Sequence, residues 1–159
     1  MSLCSPRLGF FDPADRLPYR QLSWADINTE SARQAVYQAA VEGTVLLKND
    51  GVLPLASSVK KVAVIGSWAN TTTQIQPNYF GAPPFLISPQ QVFRDAGFDV
   101  APANGTAVNS KDTSGFTTAV AAANSSDAVF FIGGSTPRLK RGLDRAQISW
   151  PGNQLDLIK

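Results

Sequence analysis

Two short runs constrain this chain more than anything else in it: Lys61-Val62-Ala63-Val64-Ile65-Gly66 and Ala128-Val129-Phe130-Phe131-Ile132-Gly133-Gly134. Each is apolar at consecutive positions rather than alternate ones, so both faces of the strand must be buried. That is the environment of a parallel sheet covered by helices on both sides. A weaker run, Phe98-Asp99-Val100-Ala101, lies between them. The intervening segments read as helices. Ser88-Pro89 supplies an N-cap and a proline at the first helical position for a helix to about Ala96, closed by Gly97. The alanine-rich stretch from Thr117 to Ala123 predicts a second helix, capped near Ser114. The alternation predicts an α/β fold, a three-layer sandwich with a short, mostly parallel, flavodoxin-like sheet.

After Trp150-Pro151-Gly152 another helix is expected, with Leu155 and Ile158 toward the core, and Lys159 falls inside it. A helix after a strand normally delivers the chain to the next parallel strand, and none follows, so the sheet is expected to be truncated. Ala128 to Ile132 would then be an open apolar edge, and pairing of two copies through it, as a homo-oligomer, is the expected remedy. Toward the other terminus, residues 1–27 carry Pro6, Pro13 and Pro18 among Phe10, Phe11, Tyr19 and Trp24, an irregular segment packed on something rather than a free linker. A helix opens at Asn28 or Thr29 and runs to about Gly43; Thr44 to Leu47 is β-prone, and Asn49-Asp50-Gly51 is a turn. The expected organisation is a segment over 1–27 and one α/β domain over 28–159.

Composition closes several routes. With 159 residues, 43% hydrophobic and 16% charged, the chain is globular, and a net charge of +2 gives no electrostatic case for nucleic acid. There is one cysteine, Cys4, and no histidine, so internal disulfides are excluded and the usual zinc, Ser-His and Cys-His schemes lose a ligand or base. No cofactor and no metal are expected. No apolar run approaches the roughly 20 residues of a membrane helix, and the first residues lack the apolar core of a signal peptide. Asn70-Thr71-Thr72, Asn104-Gly105-Thr106 and Asn124-Ser125-Ser126 are nevertheless acceptor sequons for N-glycosylation, which matter only in a secretory compartment.

Three stretches are candidates for ligand contacts, and the first and last of them follow strands, where doubly wound proteins gather such contacts. Gly66-Ser67-Trp68-Ala69-Asn70 lacks both G-x-G-x-x-G and a P-loop lysine, so it reads as a strand exit rather than a nucleotide site. The stretch QIQPNYFGAPPF, Gln74 to Phe85, combines aromatic faces with amides, a combination suited to a sugar; a rigid surface loop whose aromatics cover the sheet edge is the other reading. Gln76, Asn78, Tyr79 and Phe80 are its candidate substrate contacts. GGSTPRLKRGLDR, from Gly133, carries four cations and one carboxylate. Arg141, Asp144 and Arg145 are candidate contacts there, although a solvated basic turn, or an Asp144–Arg145 ion pair anchoring the loop, accounts for the same residues.

The longer runs RLGFFDP from Arg7, PYR from Pro18, AAVEGTVLLKNDGVLPL from Ala39, VAVIGSWANTTTQIQPNYFGAP from Val62 and ISWPGNQLDLI from Ile148 resemble fungal β-xylosidase-like members of glycoside hydrolase family 3. The resemblance implies a secreted enzyme in which residues up to about 20 are the tail of a (β/α)₈ barrel and the rest is part of the α/β domain beside it. It also implies an aspartate nucleophile on the barrel and a glutamate acid/base on a loop of the α/β domain, because retaining hydrolysis needs two carboxyls about 5–5.5 Å apart. The barrel is missing here, and Leu139-Lys140-Arg141 stands where the family carries an acidic patch of the type Glu-Ala-Glu. A guanidinium or ammonium is a poor proton donor near neutral pH. The expectation is therefore a β-xylosidase-like α/β domain with no catalytic residue of its own, inactive alone. Its partners would be xylo-oligosaccharide or another glycan, and the barrel domain. A non-enzymatic glycan- or protein-binding module is the alternative.

Overall fold

The computed structural model describes residues 8–73, 76, 81–135 and 148–159. They fall into two compact units, one up to Val52 and one from Leu53 to Lys159.

The first unit holds three 3₁₀ turns, Ala14–Arg16, Pro18–Arg20 and Trp24–Asp26, and helix α1, Glu30–Gly43. Ser23 and Asp26 form a capping box around the third turn, in which the Asp26 carboxylate accepts from the Ser23 N–H at 2.7 Å. Of the two candidate caps for α1, Thr29 is the one used: its hydroxyl accepts from the Ala32 N–H. Asn28 takes φ 56° just before it, a left-handed conformation that asparagine tolerates better than most residues. No residue of α1 is buried, and Trp24 is 88% exposed. Thr44 to Leu47, β-prone in sequence, forms no strand; Val45, Leu46 and Leu47 are all exposed.

The second unit is built on a three-stranded parallel sheet in the order β2-β1-β3, with β1 Lys61–Ile65, β2 Asp99–Ala103 and β3 Ala128–Phe131. Lys61 pairs with Asp99 and Val62 with Ala128, so the three strands start level. β1 is central, and its consecutive apolar residues go to both faces as required. Val62 and Val64 pack with Phe93, Phe98, Val100 and Phe130; Ala63 and Ile65 pack with Ala119, Ala122, Phe131 and Leu157. The first face is covered by α2, Pro89–Asp95, the second by α3, Phe116–Asn124, and by α4, Gln154–Ile158. This is the expected three-layer α/β sandwich. Pro102 lies within β2, a place open to a residue without an N–H because β2 is an edge strand.

The helix punctuation fits in part. Ser88 caps α2 through Gln91 N–H, and Gly97 ends the helix with φ 89°. The Phe98 N–H reaches back to Phe93 O and Gly97 N–H to Arg94 O, while the rings of Phe93 and Phe98 meet edge to face at 6.0 Å, a Schellman ending with its hydrophobic contact. Helix α3 departs from expectation. Its N-cap is Gly115 without a side-chain bond, because Ser114 turns instead to the Asp112 carboxylate, to which it donates from both N–H and hydroxyl. Helix α4 departs further: Leu155 and Ile158 point outward, and Gln154 and Leu157 turn inward. A polar side chain sets the helix phase.

Candidate functional site at the C-terminal end of the sheet

Four polar side chains are buried among the described residues: Ser88, Gln90, Thr106 and Gln154. All four lie at the C-terminal end of the sheet, where the chain leaves β1, β2 and β3. Each makes at least one hydrogen bond to a backbone or side-chain group there. Ser88 donates to the Asn70 side chain at 3.2 Å, and Gln90 Nε2 donates to Val64 O at 3.5 Å while its backbone N–H donates to Ala69 O at 2.9 Å. The Thr106 hydroxyl lies 3.3 Å from both Ala107 O and Asp112 O, and Ser67 donates to Thr106 O at 2.8 Å. None of these side chains titrates near neutral pH, so this end offers hydrogen-bonding amides and hydroxyls rather than an acid or a base.

Glycines let the segments approach there. Gly66, with φ 117°, passes over the end of β3 so closely that a Cβ would stand 2.4 Å from Ile132 O. The same crossing lets Trp68 N–H donate to Ile132 O. At Gly133 a Cβ would meet Phe131 and Trp150 at 2.5 Å; without it, Trp150 stacks on Phe131 with ring centroids 5.8 Å apart. Trp68 Nε1 is buried beside Gly134 and has no hydrogen-bond partner among the described residues.

Of the candidate contacts read from sequence, Gln76 is half-buried and its N–H donates to Thr73 O. Asn78, Tyr79, Phe80, Arg141, Asp144 and Arg145 lie outside the described residues. The three sequon asparagines are exposed: Asn70 on the β1 exit, Asn104 after β2 and Asn124 as the last residue of α3. Asn70 accepts through its amide oxygen from the Ser88 hydroxyl. Gln90, Thr106 and Gln154 were not singled out by sequence, since nothing local marks a glutamine or threonine as buried. No group of three potential metal-ligating side chains occurs among the described residues, and no helix among them is long and apolar enough to cross a membrane.

The profile of the glycosyl hydrolase family 3 C-terminal domain matches residues 44–159. The chain is 53% identical over 153 residues to a probable exo-1,4-beta-xylosidase xlnD of Aspergillus fumigatus, covering 96% of this chain and 19% of that one. It is 52% identical to the exo-1,4-beta-xylosidase xlnD of Emericella nidulans, over 94% of this chain and 19% of that protein. Among solved structures, a GH3 exo-beta-xylosidase (XlnD) in complex with a xylobiose aziridine activity based probe superposes with a TM-score of 0.88 at 50% identity, over 97% of this chain and 20% of that one. A beta-glucosidase from Listeria innocua in complex with glucose gives 0.78 at 28% identity, over 96% and 21%. The chain thus spans about a fifth of the length of the relatives it matches. Sequence, sheet order and profile agree, and the chain belongs to glycoside hydrolase family 3, as part of the C-terminal domain.

Proposed function

We propose that this chain is the α/β domain of a secreted β-xylosidase-type hydrolase, acting on β-1,4-linked xylo-oligosaccharides only together with a second body that supplies the nucleophile, and without turnover by itself. The observation that carries the reading is the likeness, over 97% of the chain, to an exo-beta-xylosidase bound to a xylobiose-derived probe. Two features support inactivity alone. The buried polar groups at the C-terminal end of the sheet are neutral, and Leu139-Lys140-Arg141 stands where, by the resemblance, the family carries an acidic patch. Retaining hydrolysis requires two carboxyls, one to attack and one to protonate the leaving oxygen.

In this reading Gln76, Asn78, Tyr79 and Phe80 offer a sugar amides and stacking faces, and Arg141, Asp144 and Arg145 are the further candidate substrate contacts. The exposed asparagines 70, 104 and 124 carry glycans in the secretory pathway. The free edge of β3 accepts a further strand, in this chain from a second copy. Among the described residues β3 pairs with β1 alone, and an apolar recess of about 200 Å³ lined by Val120, Val129, Phe131 and Ile158 lies beside it.

Assay on an aryl β-xyloside tests the proposal. The purified chain should show no turnover; turnover at even about a thousandth of ordinary enzyme rates would overturn it. Calorimetric titration with xylobiose tests the contacts, where absence of heat would remove the glycan-binding part and leave a protein-docking domain.

A further inference from the structure

We infer that Gln154 is a positioning residue that sets the direction in which the chain leaves β3, by acting as one extra peptide unit of the sheet. The ladder between β1 and β3 ends where Ile132 N–H donates to Ile65 O. Gly134 lies two residues beyond it, with no strand left to pair with. The Gln154 side chain takes that place. Its Oε1 accepts from Gly134 N–H at 2.9 Å, and its Nε2 donates to Gly134 O at 2.8 Å. A primary amide presents the same donor and acceptor pair as a backbone peptide, so both polar groups of Gly134 are satisfied at once.

The clasp is tied to the rest of the unit. Nε2 also donates to Val108 O at 2.9 Å and to Pro151 O at 3.1 Å, so its two hydrogens serve three carbonyls. Three carbonyls around Nε2 also fix which way the amide points, since the flipped rotamer would set oxygen against oxygen. Gln154 is fully buried, and this clasp turns Leu155 and Ile158 outward. On the opposite side the edge of Trp68 closes the space a side chain at 134 would enter, leaving 3.3 Å to Nε1. Gly134 is thereby held from two sides just before the stretch that resembles the family's catalytic loop.

The functional meaning rests on the reading above, that this stretch faces the glycoside; the clasp itself does not, and it is tested without any sugar. Amide hydrogen exchange on the full 159-residue chain should find Gly134 N–H protected almost as well as the amides of β1. Gln154→Met, similar in length and unable to clasp, should accelerate Gly134 exchange about tenfold or more beyond any acceleration that lower global stability gives the β1 amides, as expected when buried hydrogen bonds are left unmade. In the same variant the indole N–H resonance of Trp68 should move while that of Trp24 stays. Equal acceleration at Gly134 and in β1 would mean that Gln154 merely supports the whole fold, and would overturn the inference. If Gln154→Met does not fold, the unaltered chain still decides: a Gly134 amide exchanging as freely as an exposed one removes the clasp. A chain that turns over an aryl β-xyloside by itself, or that gives no heat with xylobiose, would count against the functional reading and leave these results standing.

Discussion

The two ends of the sheet are held by opposite chemistry. At the N-terminal end one exposed carboxylate does the fastening: Asp127 Oδ2 accepts from Lys60 N–H and Lys61 N–H, both at 2.9 Å, and so ties the start of β3 to the start of β1. At the C-terminal end the fastening is neutral and buried, through Ser88, Gln90, Thr106 and Gln154. The Asp127 carboxyl titrates, with its pKa lowered in the fold, and its charge is screened by salt, so the first fastening is adjustable by pH and ionic strength. A buried amide has no such freedom, since leaving its partners unpaired costs their full desolvation. The sheet is therefore rigid and pH-insensitive at the end where doubly wound α/β proteins in general gather ligand contacts, and tunable at the other.

Breaking the rigid end should have the larger effects. Gly66→Ala heads the list, because its φ of 117° is strained for any side chain and a Cβ would press on Ile132 O at 2.4 Å. A loss on the order of 3 kcal/mol is expected from backbone strain and overpacking together, read as a drop in the urea midpoint. Gln154→Met follows at about 2–3 kcal/mol, from groups left unmade at Gly134, Val108 and Pro151. If either substitution is silent by the same measurement, the C-terminal end is not the rigid one.

The contrast between the ends was only half legible in the sequence. β1 announced itself because a strand buried on both faces must be apolar at every position; β3 carries the same apolar run but is an edge strand with no fully buried residue and Val129 51% exposed; α2 was legible because Ser88-Pro89 and Gly97 carry their conformational signals locally. The cap of α3 was misplaced because Ser114 had a competing partner in Asp112, whose carboxyl is held below its ordinary range by Ser114 N–H first and then by the Ser114 hydroxyl. The facing of α4 was misread for a deeper reason. Gln154 is buried by backbone groups at positions 108, 134 and 151, and periodicity counts apolar residues, not distant carbonyls in need of a donor. Of the candidate sugar contacts, Gln76 falls within the described residues, while the six beyond it, from Asn78 to Arg145, remain proposals drawn from residue chemistry and resemblance.

Ser88→Ala sharpens the comparison at intermediate scale. The hydroxyl accepts from Gln91 N–H at the first turn of α2 and donates to Asn70, so one atom joins a helix start to the exit of β1. Loss of such a cap costs about 1 kcal/mol. The loss should be the same at pH 4 and pH 7 in urea unfolding, because neither partner titrates there; a pH-dependent loss would contradict the assignment of neutral chemistry to this end.

The smallest effect should come from the N-terminal end, and it should appear as a slope rather than a step. The pKa of Asp127 is lowered, first by the bond from Lys61 N–H, then by that from Lys60 N–H, with a lesser contribution from the Lys61 charge. A carboxyl whose folded pKa lies below its unfolded one stabilises the fold fully above the unfolded value, and loses that contribution as the pH falls through the folded value. Asp127→Asn keeps an acceptor of similar shape but no charge. The variant should be slightly less stable at neutral pH, and its stability should fall less steeply on acidification below the ordinary aspartate range, so that the two curves converge. Added salt should narrow the gap at neutral pH if the Lys61 charge takes part. Parallel curves across that range would mean that Asp127 holds the sheet by shape alone, and the two ends would then differ in burial but not in kind.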